Sequence, residues 1–99
     1  MNVELISVDD QTVVIGASGR IDANNAEDFK KAILAILEEK DAPGLTIDIK
    51  NLEYISSAGL RALLFVAKKK EERIKITNTS EEVYEIFEVT NFTQIFDVE

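Results

Sequence analysis

The sequence predicts an α/β fold in which residues 1–99 form one domain around a mixed sheet of about four strands with about four helices. The first observation is that segments with alternating apolar residues are followed by segments whose apolar residues recur every three to four positions. These are the periods of strands and of amphipathic helices. The second observation is that 99 residues, 45% of them hydrophobic, suffice for one buried core and are too few for two domains.

The order of these segments is strand, strand, helix, strand, helix, strand, helix, and it sets the expected sheet topology. Strands that are separated by a helix pair in parallel through a right-handed crossover. Only a short turn separates the first two strands, so we expect this pair to be antiparallel and the remaining strands to be parallel.

The first strand pair is predicted from the N-terminal segment. Residues 3–7 alternate, residues 9–11 have the Asp-Asp-Gln composition of a turn, and residues 12–17 form a β-branched run. Gly16 and Gly19 then predict that the chain leaves the strand as a loop. The paired aspartates of the turn fit a solvated connection better than a metal site.

The first helix is predicted over residues 26–40. Its apolar residues recur at helical spacing, and Asn24 with Glu27 has the spacing of a capping box at its start. Residues 41–44, Asp-Ala-Pro-Gly, predict its end, because proline and glycine do not continue a helix.

The next strand and helix form the most informative segment. Residues 45–49 alternate as a half-buried strand, and residues 57–70 have helical spacing. Ser56 or Ser57 is the expected cap of this helix. Gly59 in the first turn costs roughly 1 kcal/mol of helix propensity, which indicates that another group, such as a partner docked over the serine, approaches closely.

The C-terminal third predicts one more strand and helix. Residues 73–77 form a short alternating strand, and Thr79 with Glu82 has the spacing of a capping box before a helix that includes Val83. Residues 92–96 are expected to fold back as a terminal helical turn.

Composition argues against several classes of function. The net charge of -8, with no compensating basic stripe, makes nucleic acid and anionic membrane surfaces unlikely partners. The absence of cysteine and histidine removes thiolate metal sites, thiol nucleophiles and the commonest general base. No nucleotide-binding glycine fingerprint occurs, so we expect no cofactor. The one basic run, residues 68–70, fits a solvated helix end.

Two further features concern location. The N-terminal segment has neither the basic start nor the apolar stretch of a secretory signal. No apolar run approaches the roughly 18 residues that are needed to span a bilayer. We therefore expect a cytoplasmic protein.

Three interpretations of Ser57 follow from the residues alone. As a cap, it would satisfy amide groups at the helix start, which is a common role of serine. As a phosphorylation site, it would hold the phosphate against free amides and the helix dipole, so that the surface gains about -1.5 to -2 charges without unfolding. As a hydrolase nucleophile, it would need a base, and no residue is spaced to supply one.

Three segments resemble a known family. The run Tyr54-Ile55-Ser56-Ser57-Ala58-Gly59-Leu60, after the strand LTIDI, resembles the phosphorylation-site signature of bacterial anti-sigma factor antagonists, the single-domain members of the STAS fold. Residues 19–22, Gly-Arg-Ile-Asp, look like the segment that precedes the first helix of that family. Residues 83–87 and 92–96 are similar to its C-terminal helix and tail. The chain departs from the commonest pattern at Ser56, where many members have aspartate, and at Ala58, where many have serine or threonine.

The resemblance implies a partner-switching function without enzymatic activity. An unmodified antagonist of this family binds an anti-sigma factor that is also a serine kinase, which frees a sigma factor for transcription. The kinase then phosphorylates and releases the antagonist, and a PP2C-type phosphatase restores it. The motif implies Ser57 as the acceptor, with Ser56 as the alternative, and the kinase would supply the base and the ATP. The partner-facing residues implied are Asp22, Ser56, Ser57, Ala58, Gly59 and Arg61.

Domains of this fold also serve as scaffold modules or transporter accessory modules that are not phosphorylated. A constitutive module in a larger assembly is therefore the second hypothesis, in which Ser57 only caps its helix.

Overall fold

The computed structural model describes every residue from Met1 to Glu99. One mixed sheet contains five strands in chain order: β1 (Asn2–Val8), β2 (Thr12–Ile21), β3 (Gly44–Ile55), β4 (Lys75–Thr77) and β5 (Asp97–Val98). The helices are α1 (Ala26–Glu39), α2 (Ser57–Ala67) and α3 (Glu81–Val89), followed by a 3-10 turn (Phe92–Gln94). β1 is antiparallel to β2 and all other neighbours are parallel, so the predicted fold class is confirmed. The counts differ slightly from the prediction, with one strand more and one α-helix fewer.

The core lies on one side of the two central strands. Alternate residues of β2 and β3 are buried against the helices, and 22 buried hydrophobic residues form one cluster. Phe29 and Ile33 of α1 and Leu63 and Val66 of α2 join this cluster with almost no exposed surface. The apolar residues that alternate along the strands therefore pack against the apolar faces of α1 and α2 in one layer.

Both central strands run further than predicted. β2 continues through Gly16 and Gly19 to Ile21, so the prediction of a loop at these glycines is wrong. The ladder shifts register beside each glycine, and Gly19 has a φ of 85°, so the glycines permit bulges within a continuing strand. β3 likewise continues to Ile55.

The C-terminal segment closes the far edge of the sheet. The predicted terminal helical turn is confirmed as the 3-10 turn, after which Phe96 packs edge-on against Phe87, with 6.2 Å between ring centres. β5 was not predicted, because its two residues are too few to show a period.

Both predicted capping boxes are wrong. No side chain caps α1. Its approach is instead shaped by Asp22, whose Oδ1 accepts hydrogen bonds from the amides of Asn24 (2.9 Å) and Asn25 (3.2 Å). The cap of α3 is Ser80, one residue after the predicted Thr79, whose amide donates to the carbonyl of Glu99 and so cannot make the bond to Glu82 that a capping box needs.

The basic run that follows α2 is not wholly solvated. Lys70 has only 6% of its side chain exposed, and its Nζ donates to Asp41 Oδ1 (2.6 Å) and to the Ala42 carbonyl (2.7 Å). The hydrogen bond from Lys70 lowers the pKa of the Asp41 carboxyl below its ordinary value. Lys70 therefore ties the end of α2 to the connection before β3. No helix of the chain combines the length and the apolar character needed to cross a membrane.

Candidate functional site

The register of the two central strands brings the predicted site residues together. Ile21 and Ile55 are aligned partners at the carboxyl ends of β2 and β3. The Ser56 amide donates to the Ile21 carbonyl at 2.8 Å, which fixes the start of α2 against the end of β2. Asp22 and Ser56 directly follow the aligned residues, so the Asp22 loop and the serine pair lie side by side.

Ser56 is the residue that caps α2. Its backbone is extended (φ -85°, ψ 172°), and its Oγ accepts a hydrogen bond from the Gly59 amide at 3.2 Å. This geometry satisfies one of the unpaired donors of the first helical turn. The interpretation of Ser57 as the cap is therefore wrong, since the neighbouring serine fills that role.

Ser57 is the first residue of α2 and is exposed. The hydrogen bond of the cap leaves its hydroxyl unused, and the first turn of α2 contains no acidic residue. A negative charge on Ser57 Oγ would lie at the positive end of the helix dipole without breaking any contact. The arrangement presents a free hydroxyl on a fixed backbone.

Gly59 holds the first turn of α2 against the sheet. A Cβ at this position would lie 2.6 Å from Ile55 Cγ1 and 2.8 Å from Ile21 Cγ2. The close approach that the sequence indicated is therefore made by the protein's own strands. Gly59 is itself buried within the first turn of α2, and its predicted contact with a partner stays a prediction.

The surface below Ser57 is a groove between α1 and α2. Ala58, half-buried, and Arg61, exposed, contribute to it from α2. The aromatic ring of Phe65 is also part of the groove, is 42% exposed, and lies 4.3 Å from Lys30 Nζ of α1. Sequence reasoning missed Phe65 and Lys30. The signal that could have found Phe65 is an aromatic residue that lies outside the apolar stripe of its helix.

Asp22 organises the loop before α1. Its Oδ1 accepts hydrogen bonds from the amides of Asn24 and Asn25, and its own amide donates to Asn25 Oδ1 at 2.9 Å. Asn25 Nδ2 in turn donates to the carbonyl of Arg20 at 3.0 Å. Asp22 therefore shapes the loop beside the serine pair, and its contact with a partner stays a prediction.

Two observations describe the surroundings of the Ser57 hydroxyl. No base is hydrogen-bonded to it, and no group of three acidic, histidine or cysteine side chains is placed to hold a metal ion. The hydroxyl lies exposed at the start of α2, beside the groove between α1 and α2.

The chain is similar to proteins of one family along its whole length. The family model described as "Mlab, STAS domain" matches residues 5–97. The putative anti-sigma factor antagonist BtrV of Bordetella bronchiseptica is 34% identical over 92 residues, which cover 90% of this chain and 78% of the relative.

Two solved structures share the fold. The anti-sigma factor antagonist SpoIIAA in its unphosphorylated form superposes with a TM-score of 0.79 at 19% identity, covering 99% of this chain and 88% of that one. The Bacillus cell fate determinant SpoIIAA in the phosphorylated form superposes with a TM-score of 0.69 at 19% identity, covering 99% and 91%. Both comparisons show that this chain has the fold of SpoIIAA.

Proposed function

The chain belongs to the STAS domain family, among the anti-sigma factor antagonists, and we propose that it is a partner-switching regulator controlled at Ser57. In its unmodified form it binds an anti-sigma factor that is also a serine kinase, and a sigma factor is released. Transfer of the γ-phosphoryl group of ATP to Ser57 Oγ by that kinase ends the complex. A PP2C-type phosphatase removes the phosphate and restores the binding form.

The observation that carries the proposal is that one serine of the pair caps α2 and the other is free. Ser56 Oγ is engaged by the Gly59 amide, whereas Ser57 is exposed at the next position. Phosphate on Ser56 would displace the hydrogen bond that its Oγ accepts from the Gly59 amide, but phosphate on Ser57 would leave every internal contact in place. This difference supports Ser57 as the acceptor and makes Ser56 the weaker alternative.

The binding surface that we propose surrounds Ser57. It comprises the Asp22 loop, the serine pair, Ala58 and Arg61, which the strand register and the first turns of α2 hold together. A phosphate would add about -1.5 to -2 charges at the centre of this surface. Each tenfold loss of affinity needs only about 1.4 kcal/mol, which repulsion or steric exclusion at a tight interface can supply.

The chain itself performs no chemistry in this scheme. The kinase brings the ATP and the base, so the antagonist needs neither histidine nor a phosphate loop. The place of action is the cytoplasm, where sigma factors bind RNA polymerase. The net charge of -8 suits a protein whose partners are proteins and not nucleic acid or membrane.

Mass spectrometry of the endogenous protein, from growing and from stressed cells, tests the proposal. Intact masses followed by peptide mapping should show one phosphate, on Ser57, whose occupancy changes with condition. A strain that carries Ser57→Ala should lose the signal, and a strain that carries Ser56→Ala should keep it. A chain that stays unmodified under every condition would contradict the proposal and favour the constitutive scaffold or accessory module.

A further inference from the structure

Arg61 stands out among the three arginines of the chain because it has no partner. The guanidinium of Arg20 lies 4.7 Å from the ring centre of Tyr54, and Arg73 Nε pairs with Asp97 Oδ1 at 3.0 Å. The ion pairs of the structure use Lys30, Lys70, Arg73 and Lys75, and Arg61 is not among them. Arg61 is therefore the one arginine whose guanidinium is neither stacked on an aromatic ring nor paired with a carboxylate.

Arg61 stands four residues after Ser57 on α2. Residues at this spacing share a helix face, with Cβ atoms roughly 5–6 Å apart, and an anion that precedes a cation by four residues is the favourable order. Ala58 and Ala62, its small neighbours on the groove, leave room for the long side chain to turn toward the helix start. Across the groove, α1 offers Glu27 and Lys30, which already pair with each other at 3.2 Å.

We propose that Arg61 binds the phosphate of phosphorylated Ser57 within the same helix, so that modification both adds negative charge and withdraws the one unpaired guanidinium from the groove. The inference rests on the proposed phosphorylation of Ser57. A guanidinium and a phosphate form short, charge-assisted hydrogen bonds, often two at once. In the unmodified protein Arg61 is available to a carboxylate of the partner, and in the phosphorylated protein it is not.

The test uses the full-length chain with phosphoserine installed at position 57 during translation, so it needs no kinase. The ³¹P chemical shift is followed against pH in the parent, in Arg61→Gln and in Lys68→Gln. Lys68 is the matched control, since Lys68→Gln removes the same charge from the residue that caps the C-terminus of α2, about 16 Å along the axis from Ser57. The amide spectrum of each variant confirms that it is folded.

Arg61→Gln should raise the pH midpoint of the phosphate by roughly 0.2 to 0.7 unit, the shift of an exposed ion pair, and Lys68→Gln should leave it nearly unchanged. Equal midpoints in all three proteins, or equal shifts in the two variants, would overturn the inference. Failure of the proposed function is a separate result. A chain never phosphorylated in cells would still show the Arg61 shift, and a chain phosphorylated in cells could lack it.

Discussion

The starts of α2 and α3 have the same capping geometry but differ in charge, since the first turn of α2 is neutral and that of α3 is acidic. Ser56 and Ser80 both cap their helices, and each Oγ accepts a hydrogen bond of 3.2 Å from the amide three residues later. The next position is Ser57 in α2 and Glu81 in α3. The first turn of α3 has two acidic residues and that of α2 has none. The carboxylates of α3 give the positive end of its dipole a permanent negative charge, and α2 has only the neutral hydroxyl of Ser57, which we propose is phosphorylated, at the matching position.

The two helix starts are stabilised in different ways. α3 has its stabilising charge at all times, as a structural helix should. α2 is held by packing instead, because Gly59 lets its first turn lie against Ile21 and Ile55. The start of α2 is therefore stable without charge and tolerant of it. A phosphate on Ser57 should act on binding and leave the fold intact.

The largest effect is expected at the third helical position, where α2 has Gly59 and α3 has Val83. Gly59→Ala should destabilise the protein by about 1 to 3 kcal/mol, because the new methyl overlaps two buried isoleucines and outweighs the gain in helix propensity. Chemical denaturation measures the free energy of unfolding. Gly16→Ala is the control, since the one close contact of its Cβ would be with Cδ1 at the end of the half-exposed Ile6 side chain, at 2.9 Å, and the Ile6 and Glu4 atoms beyond lie at 3.4 Å or more. If Gly59→Ala lost no more unfolding free energy than Gly16→Ala, close packing at Gly59 would not be what holds the start of α2.

The caps should give the next largest effect. Ser56→Ala and Ser80→Ala should each lower the free energy of unfolding by about 0.5 to 2 kcal/mol, because each leaves an amide unsatisfied. Ser57→Ala should change it by less than about 0.5 kcal/mol, as is usual for an exposed residue without partners. Urea melts of the three variants compare them directly. If Ser57→Ala costs as much as Ser56→Ala, the assignment of the cap is wrong.

Exchanging the charges of the two helix starts should give the smallest effect. Ser57→Glu should stabilise the protein by about 0.3 to 1 kcal/mol, and Glu81→Ser should destabilise it by a similar amount, since both act on the helix dipole. Both effects on stability should be smaller in high salt than in low salt, which thermal melts at the two salt concentrations measure. Ser57→Gln supplies the uncharged control. Destabilisation by Ser57→Glu would show that the start of α2 does not tolerate negative charge.

The fold could be predicted because the apolar residues recur along the sequence with the periods of the strands and helices that they form. The alternation around Ile47 and the helical spacing around Leu63 place both residues in the core, and the short turn after β1 gives the antiparallel pair. The serine motif also placed Ser57 at a helix start. Periodicity could not reveal β5, which is too short, or the bulges that keep Gly16 and Gly19 within β2.

The caps were harder to predict, because several residues able to cap stand side by side. Spacing to a glutamate selected Thr79, but the Thr79 amide donates to the carbonyl of Glu99 and is not free for the bond to Glu82 that a capping box needs, and Ser80 caps α3 instead. The choice between Ser56 and Ser57 depends likewise on the bond from the Ser56 amide to Ile21. Such contacts join residues that are distant in sequence, so local patterns do not contain them.

The most direct test of the central claim compares unmodified protein with protein that has phosphoserine at position 57. Isothermal titration with the anti-sigma factor from the same genome gives the affinity of each form, and thermal melts of both forms give their stability. The account predicts at least a tenfold loss of affinity, about 1.4 kcal/mol, with an unchanged or slightly higher melting temperature. Equal affinities, or a loss of affinity accompanied by a clear fall in melting temperature, would contradict it.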